Sequence, residues 1–417
     1  MKKKRLQYLK NQTGAVLIKF VLFLPVLIGM AALSVDVVRI AVAKNELQNA
    51  ADAGALAAAR FLYNDSGTAV NAGANQIGYD AATVNKSQNQ PVEVNWGGGN
   101  SGDVERGHWS FGMGALARGF TPNASTAPVS LWNVATEDLD ANPNFINAVR
   151  VTARREATPI LAYFARIFNI DSWALNTSAV AYIGFAGRLM PGEAQQPIAI
   201  CSDSLLIDGE YSCSIGRMIN SGQDTGSNET GGWTSFNQDD ACTGGTNAQE
   251  VKSLVCAGGN PNGLQLGVPM ATNGGDIQSA FSTLFDCWTQ QTGQTEVWNL
   301  TLPVVTCPSN NVGTCEEVVG AVNLNIVWIT GAGEDPNFNA APFQMGGWSA
   351  PPGTELDGQA RWTAFVTHFN LQNADGTAAP YAKKSIYFLP DCDVHIPAGG
   401  TGGRNFGILA KIPVLVD

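Results

Sequence analysis

The chain has 417 residues, 45% hydrophobic and 14% charged, with 46 glycines and 20 prolines. This excludes a collagen-like chain and a highly charged disordered one, and the length accommodates an anchor plus two ordinary domains. A net charge of −11 and three histidines argue against a general nucleic-acid surface and a multi-histidine metal enzyme.

The charge is unevenly placed. No acidic residue precedes Asp36, whereas Lys2, Lys3, Lys4, Arg5, Lys10 and Lys19 do, leaving residues 36–417 strongly acidic. Ala15–Val35 is a 21-residue apolar run with Lys19 as its one charge. As a helix it spans about 31 Å, one hydrocarbon core. Pro25 and Gly29 are tolerated inside such a helix, and Lys19 can snorkel to the headgroups. The expected order is a basic cytoplasmic segment at 1–13 and a transmembrane helix at 14–35. The positive-inside rule then puts everything after Asp36 outside, on a single-pass protein. A cleaved signal peptide is the rival reading. The run is longer than the ~7–15-residue core of such peptides, and helical sequence continues beyond it.

Residues 36–62 predict an extension of the helix, with alanine, the best helix former, at seven of the ten positions 50–59. Ile40, Leu47, Ala51, Gly54, Ala58 and Leu62 fall on one mostly small stripe that allows close approach. Leu47, Ala51, Gly54 and Ala58 are therefore candidates for an interaction helix, against a partner or against the protein's own sheet. Asn64-Asp65-Ser66-Gly67 supplies a stop.

Gly14-Ala15-Val16, an apolar run containing Pro25, Val35-Asp36 and Leu47-Gln48-Asn49-Ala50-Ala51-Asp52-Ala53 follow one another in this order. This succession resembles the TadE/TadG-like proteins of the tight-adherence (Flp pilus) system, TadG most of all. VERGHWSFG (104–112), NAVRVTARRE (147–156) and ALNTSAVAYIG (174–184) extend the resemblance to about residue 185. It implies a pilin-like helix and a non-enzymatic component that scaffolds or anchors the pilus apparatus. The implied partners are other pilus-assembly or pilin-like proteins and the membrane through residues 15–35, with no nucleic acid and no cofactor. A surface adhesin or minor pilin carried in the filament is the alternative. Pilins carry Glu soon after the cleavage-site Gly. Here Lys19 stands in that region, which favours an uncleaved TadG-like role.

The expected fold is α+β: the long helix, an α+β domain at 63–190 and a disulfide-bearing β-rich domain at 191–417. In the first domain, alternation predicts a hairpin of Pro91–Trp96 with Val104–Phe111, and strands at Asn147–Arg154 and Trp173–Ile183. Thr158 and Pro159 read as the N-cap and first position of a helix reaching Phe168. Arg150, Arg154 and Arg155 read as a solvated strand face, and His108 as a packing or surface residue.

All eight cysteines, Cys201, Cys213, Cys242, Cys256, Cys287, Cys307, Cys315 and Cys392, lie in the distal half. An even number in an exported region reads as disulfides, with Cys201–Cys213 and Cys307–Cys315 as the short-range expectations. Strands are expected at Pro197–Cys201, Val297–Thr306, Ala321–Thr330, Arg361–Leu371, Lys384–Leu389 and Phe406–Val416. Two helices are expected, one capped by Asp276 and one over Ala248–Cys256, and turns at Gly222–Gly232 and Gly258–Gly263.

No G-x-S-x-G, H-E-x-x-H or Walker A motif occurs. The glycines of Gly97–Gly102 precede no helix that could bind phosphate. Asp138, Asp140 and Asn142 begin like a calcium loop, but Pro143 and Val149 stand where Gly and Glu are needed. Ser202-Asp203-Ser204 lacks the order of an adhesion metal loop, and Asp391-Cys392-Asp393-Val394-His395 reads as disulfide-bearing structure. No catalytic set is assigned.

Overall fold

The structure is a computed structural model that describes residues 13–64, 69–207, 210–211, 217–221, 230–238, 242, 245–274, 277–307, 312–331, 338–373 and 376–417. Lys2–Arg5, Lys10, Cys213, Asp276, residues 65–67 of the expected stop and 222–229 of the expected turn lie outside the described residues.

The expected membrane helix and its extension are one element, α1 (Thr13–Arg60), 48 residues long with Pro25 inside it. Its first half exposes apolar side chains such as Leu17, Phe20, Phe23 and Ile28. From Asp36 onward one face is buried, and Leu47, Ala51, Ala58 and Leu62 are wholly enclosed. Against this face pack α2 (Ala74–Thr83) and an antiparallel sheet. The sheet contains β1 (Val104–Ser110), β2 (Gly119–Pro122), β3 (Ala148–Leu161) and β4 (Ser172–Tyr182), paired in the order β2-β1-β3-β4. The alternation of β3 sends Val149, Val151 and Ala153 into the core beneath α1.

Two local expectations fail here for one reason. Residues 159–168 do not form a helix. β3 continues to Leu161 across a register shift after Arg155, pairing Ile160 with Trp173, and only Ala165–Phe168 forms a 3₁₀ turn. Glu93 accepts hydrogen bonds from the N–H groups of Glu156, Ala157 and Thr158 and from the Thr158 hydroxyl. The N–H and hydroxyl of the expected cap, Thr158, are thus already engaged, and Ile160 beyond it is taken into the pairing with β4. Glu93 also bridges Arg154, so residues 91–96 do not form the expected hairpin with 104–111; β1 pairs with β2 and β3 instead.

The distal part contains β5 (Ile198–Cys201), β6 (Arg217–Ser221), β7 (Thr230–Thr234), α3 (Ala248–Leu254), β8 (Pro269–Asn273), α4 (Gln278–Thr292), β9 (Trp298–Val305), β10 (Cys315–Ile329), α5 (Gly358–Phe369), β11 (Ser385–Phe388) and β12 (Val414–Leu415). The 15-residue β10 organises it. β10 pairs with β8 and β9, β9 runs parallel to β5, β5 pairs with β7, and β7 with β8, so the ladder closes on itself. Beyond the ring, β11 pairs with β10, and β6 pairs with β11 and β7. Ile198 and Ile200 enter one core with α4 and α5, while Ala199 and Cys201 enter another.

Of Arg361–Leu371, expected as a strand, Arg361–Phe369 lies in helix α5. Asp357 caps it through the Ala360 N–H, and Trp362, Phe365, Val366 and Phe369 follow helical spacing onto the aromatic core. Of Phe406–Val416 only Val414–Leu415 is strand. β12 adds to the edge of β4, returning the chain's end to the first sheet.

The disulfides are Cys201–Cys307, Cys242–Cys315 and Cys256–Cys287. Cys392 is also disulfide-bonded, and among the described residues no cysteine is free. The short-range pairs Cys201–Cys213 and Cys307–Cys315 are therefore not formed. Parallel pairing of β5 with β9 brings Cys201 and Cys307 together at the ends of neighbouring strands, with Cα atoms 5.5 Å apart across 106 residues of sequence.

Candidate functional site

Several of the residues that carry the sequence resemblance, among them Asp36, Leu47, Gln48, Ala50 and Ala51, line the contact between α1 and its domain. Gln48 lies on β4: its amide nitrogen donates to Asp52 at 2.8 Å and to the Ser178 carbonyl at 3.4 Å, and its oxygen accepts from the Thr177 hydroxyl. Leu47, Ala50 and Ala51 beside it are buried. At Gly54 a Cβ would stand 2.9 Å from the Gly78 carbonyl oxygen, 3.0 Å from the Ala82 Cβ and 3.0 Å from a Val151 methyl. At Gly78 a Cβ would stand 2.9 Å from the Ala58 Cβ. Two glycines and alanines thus let α1 and α2 approach backbone to backbone above the sheet. The small stripe is occupied by the chain's own elements, and α1 presents Lys44, Asn45, Asn49 and Ala53 to the outside.

Asp36 of Val35-Asp36 is buried, and its carboxylate accepts from the N–H groups of Tyr163, Phe164 and Ala165 at 3.0, 2.8 and 2.8 Å. Arg39, one turn on, donates to the Leu161 carbonyl at 2.8 Å and to Gln88, and lies 3.8 Å from the centre of the Tyr163 ring. Sequence reasoning missed this clamp on the 162–171 turn, because its donors are backbone groups more than 120 residues away. The signal was a lone acid at the end of an apolar helix.

The arginines are not a solvated face. Arg154 makes a two-point ion pair with Asp103, both contacts at 2.7 Å, and meets Glu156 at 2.7 Å. Arg150 pairs with Glu105. Arg155 is buried and donates to the Thr158 and Ser87 carbonyls. Strand alternation puts it on the core side with Val151 and Ala153, where these carbonyls and the Thr158 hydroxyl receive its guanidinium. His108 is wholly buried, each ring nitrogen 2.8 Å from a carbonyl oxygen, of Phe145 and of Asp140. The Asp140 carboxylate accepts from the Ser110 hydroxyl and from the Phe111 and Met113 N–H groups. His395 meets Glu193 and Asn323, and Asp391 accepts from Asn325. Cys201, Asp203 and Cys307 lie close together, but the two sulfurs are joined in a disulfide and offer no thiolate for a metal.

A cleft of about 820 Å³ opens where the two parts and the tail meet, lined by Phe111, Thr136, Tyr182, Phe185, Arg404 and Phe406 among others. Asn405 closes one side, donating to the Leu131 and Val134 carbonyls, and Arg404 pairs with Glu317 at 3.0 Å. The cleft takes residues from both parts of the chain. Its walls join the proximal sheet to the distal barrel.

Two family models match. One, described as Flp pilus-assembly TadE/G-like, covers residues 14–60; the other, described as Tad-like Flp pilus-assembly, covers residues 45–181. Over residues 14–181 the chain is similar to the Tad family of Flp pilus-assembly proteins. The two matches overlap on Asn45–Arg60, the buried half of α1, and together take in the helix, α2 and the sheet from β1 into β4. Within the matched stretch, Asp36 and Gln48 join the long helix α1 to its own domain. No curated protein and no solved structure matches the chain.

Proposed function

We propose that the chain is a non-enzymatic, membrane-anchored scaffold of the Flp pilus apparatus, with its N-terminus in the cytoplasm and its acidic body in the periplasm. One observation carries this reading: α1 passes without a break from an exposed apolar stretch into the buried core of the domain. A helix shared in this way fixes the body rigidly to the anchor, as a scaffold requires. The seven described cysteines of the distal part are all disulfide-bonded, which suits an oxidising compartment. The stripe Leu47, Ala51, Gly54, Ala58 serves as the internal brace, and pilus-assembly partners meet the outward face of α1 at Lys44, Asn45, Asn49 and Ala53.

The test joins topology to fractionation. A C-terminal alkaline phosphatase fusion is expected to be active, and neutralising Lys2–Arg5 and Lys10 to lower that activity. The protein is expected in the inner-membrane fraction. Recovery with sheared filaments would replace the scaffold by a filament subunit or adhesin, and an inactive fusion would overturn the orientation.

A further inference from the structure

The β3–β4 hairpin runs down α1 toward its apolar half. Contacts along the helix descend in order: Tyr63 with the Ile146 carbonyl, Gln48 with Ser178, Arg39 with the Leu161 carbonyl, and Asp36 with the N–H groups of 163–165. Among the described residues, Asp36 is the first α1 side chain bonded to another element. The hairpin tip therefore stands level with the end of the apolar run.

That tip is not polar. Leu161, Tyr163, Phe164, Ile167, Phe168 and Ile170 are all exposed, Ile167 to 78% and Tyr163 to 62%. Six large apolar side chains within ten residues form a contiguous patch that a solvated turn does not need. Apart from Lys19 and Ser34, the exposed side chains of α1 remain apolar through Val35, Val37 and Val38 up to the same level, so apolar surface of the helix leads to the tip. The tip is also held: Asp36 takes three of its N–H groups, Arg39 takes a carbonyl and a ring face, and Asn169 closes the turn in the left-handed region at φ 62°. Arg166 and Asp171, both exposed, cancel in charge, so whatever receives the tip does so through apolar contact.

We propose that residues 161–170 are a lipid-binding wedge that beds in the membrane interface beside the point where α1 emerges. Aromatic side chains such as Tyr163 and Phe168 suit the headgroup level, with Ile167 reaching the acyl boundary. A helix anchored alone could tilt and rotate. A second apolar foot, clamped to the helix at Asp36, sets the orientation of the body over the bilayer. The inference rests on the membrane reading of α1.

The test uses the full chain in nanodiscs of phosphatidylcholine with or without brominated acyl chains. Three variants each add one indole at an exposed apolar position: Phe23→Trp in the apolar half of α1, Ile167→Trp in the tip, and Leu356→Trp in a wholly exposed distal turn. Emission is read as the increment over the parent protein. The F23W and I167W increments are expected to be quenched by bromine and protected from aqueous iodide, with L356W the reverse. An I167W increment open to iodide and untouched by bromine would show a solvated tip and overturn the wedge. An increment shielded from both would assign the tip to a protein partner and equally overturn it. If F23W also escaped bromine, the anchor reading itself would fall, which separates the two failures.

Discussion

Glu93 shows how one side chain redirects a segment. Its four hydrogen bonds hold residues 156–158 as a bulge, and the strand resumes at Ile160. Burial by itself would raise the carboxyl's pKa, but the Thr158 hydroxyl and the N–H groups of Ala157, Glu156 and Thr158 outweigh it, lowering the pKa from 4.5 to about 2. A folded-state pKa below the unfolded one means stability that is complete above pH 4.5 and lost as pH falls from there toward 2. Glu93→Gln has no charge to protonate. Denaturant titrations between pH 6 and 2 are expected to give a shallower acid decline for the variant, with lower stability near neutrality. Parallel curves would show that Glu93 does not contribute to that decline. Sequence could not supply this, because Thr158-Pro159 is a sound local helix signal and its competitor lies 65 residues upstream.

At the scale of elements, α1 and its seam were the most legible part of the chain. Alanine density, the stripe at Leu47, Ala51, Gly54 and Ala58, and the apolar run all report on one helix, and periodicity expresses local geometry directly. What lies over the stripe was open, since a small-residue face suits a partner's backbone as well as the chain's own. The distances at Gly54 show α2 and Val151 there, with a backbone oxygen as the nearest atom. Gly54→Leu therefore meets a contact that cannot rotate away. Overpacking typically costs about 1–3 kcal/mol, and a fixed carbonyl puts this site at the upper end. The variant is expected to be protease-sensitive and to melt lower in detergent. Unchanged melting with lost co-purification of pilus components would instead mean that the face meets a partner.

For the whole molecule, the disulfides decide how the distal part tolerates reduction. Cys201–Cys307 spans 106 residues and Cys242–Cys315 spans 73, each linking segments distant in the chain. Loss of a native disulfide costs about 2–5 kcal/mol in small exported domains. Reduction is expected to unfold the distal barrel at a lower denaturant concentration than the proximal sheet, which carries no cysteine. Peptide mapping without reduction should recover Cys201 with Cys307, Cys242 with Cys315 and Cys256 with Cys287. Recovery of Cys307 with Cys315 would contradict the strand order.

Sequence by itself determined what depends on neighbours along the chain: the apolar helix and its continuation, strands β3, β4, β9 and β11, and helices α3 and α4. Helix α5 was also within its reach, since Trp362, Phe365, Val366 and Phe369 keep helical spacing behind an Asp cap. Only the tertiary structure decided the rest: which cysteines meet, where Arg155 goes, why Asp36 is buried, and where β12 ends. Each of these is a pairing between segments tens to hundreds of residues apart. A residue's local pattern states which face it occupies but not what lies across from it, and the partner is selected by closure of the sheet and by the demand that every buried polar group be bonded.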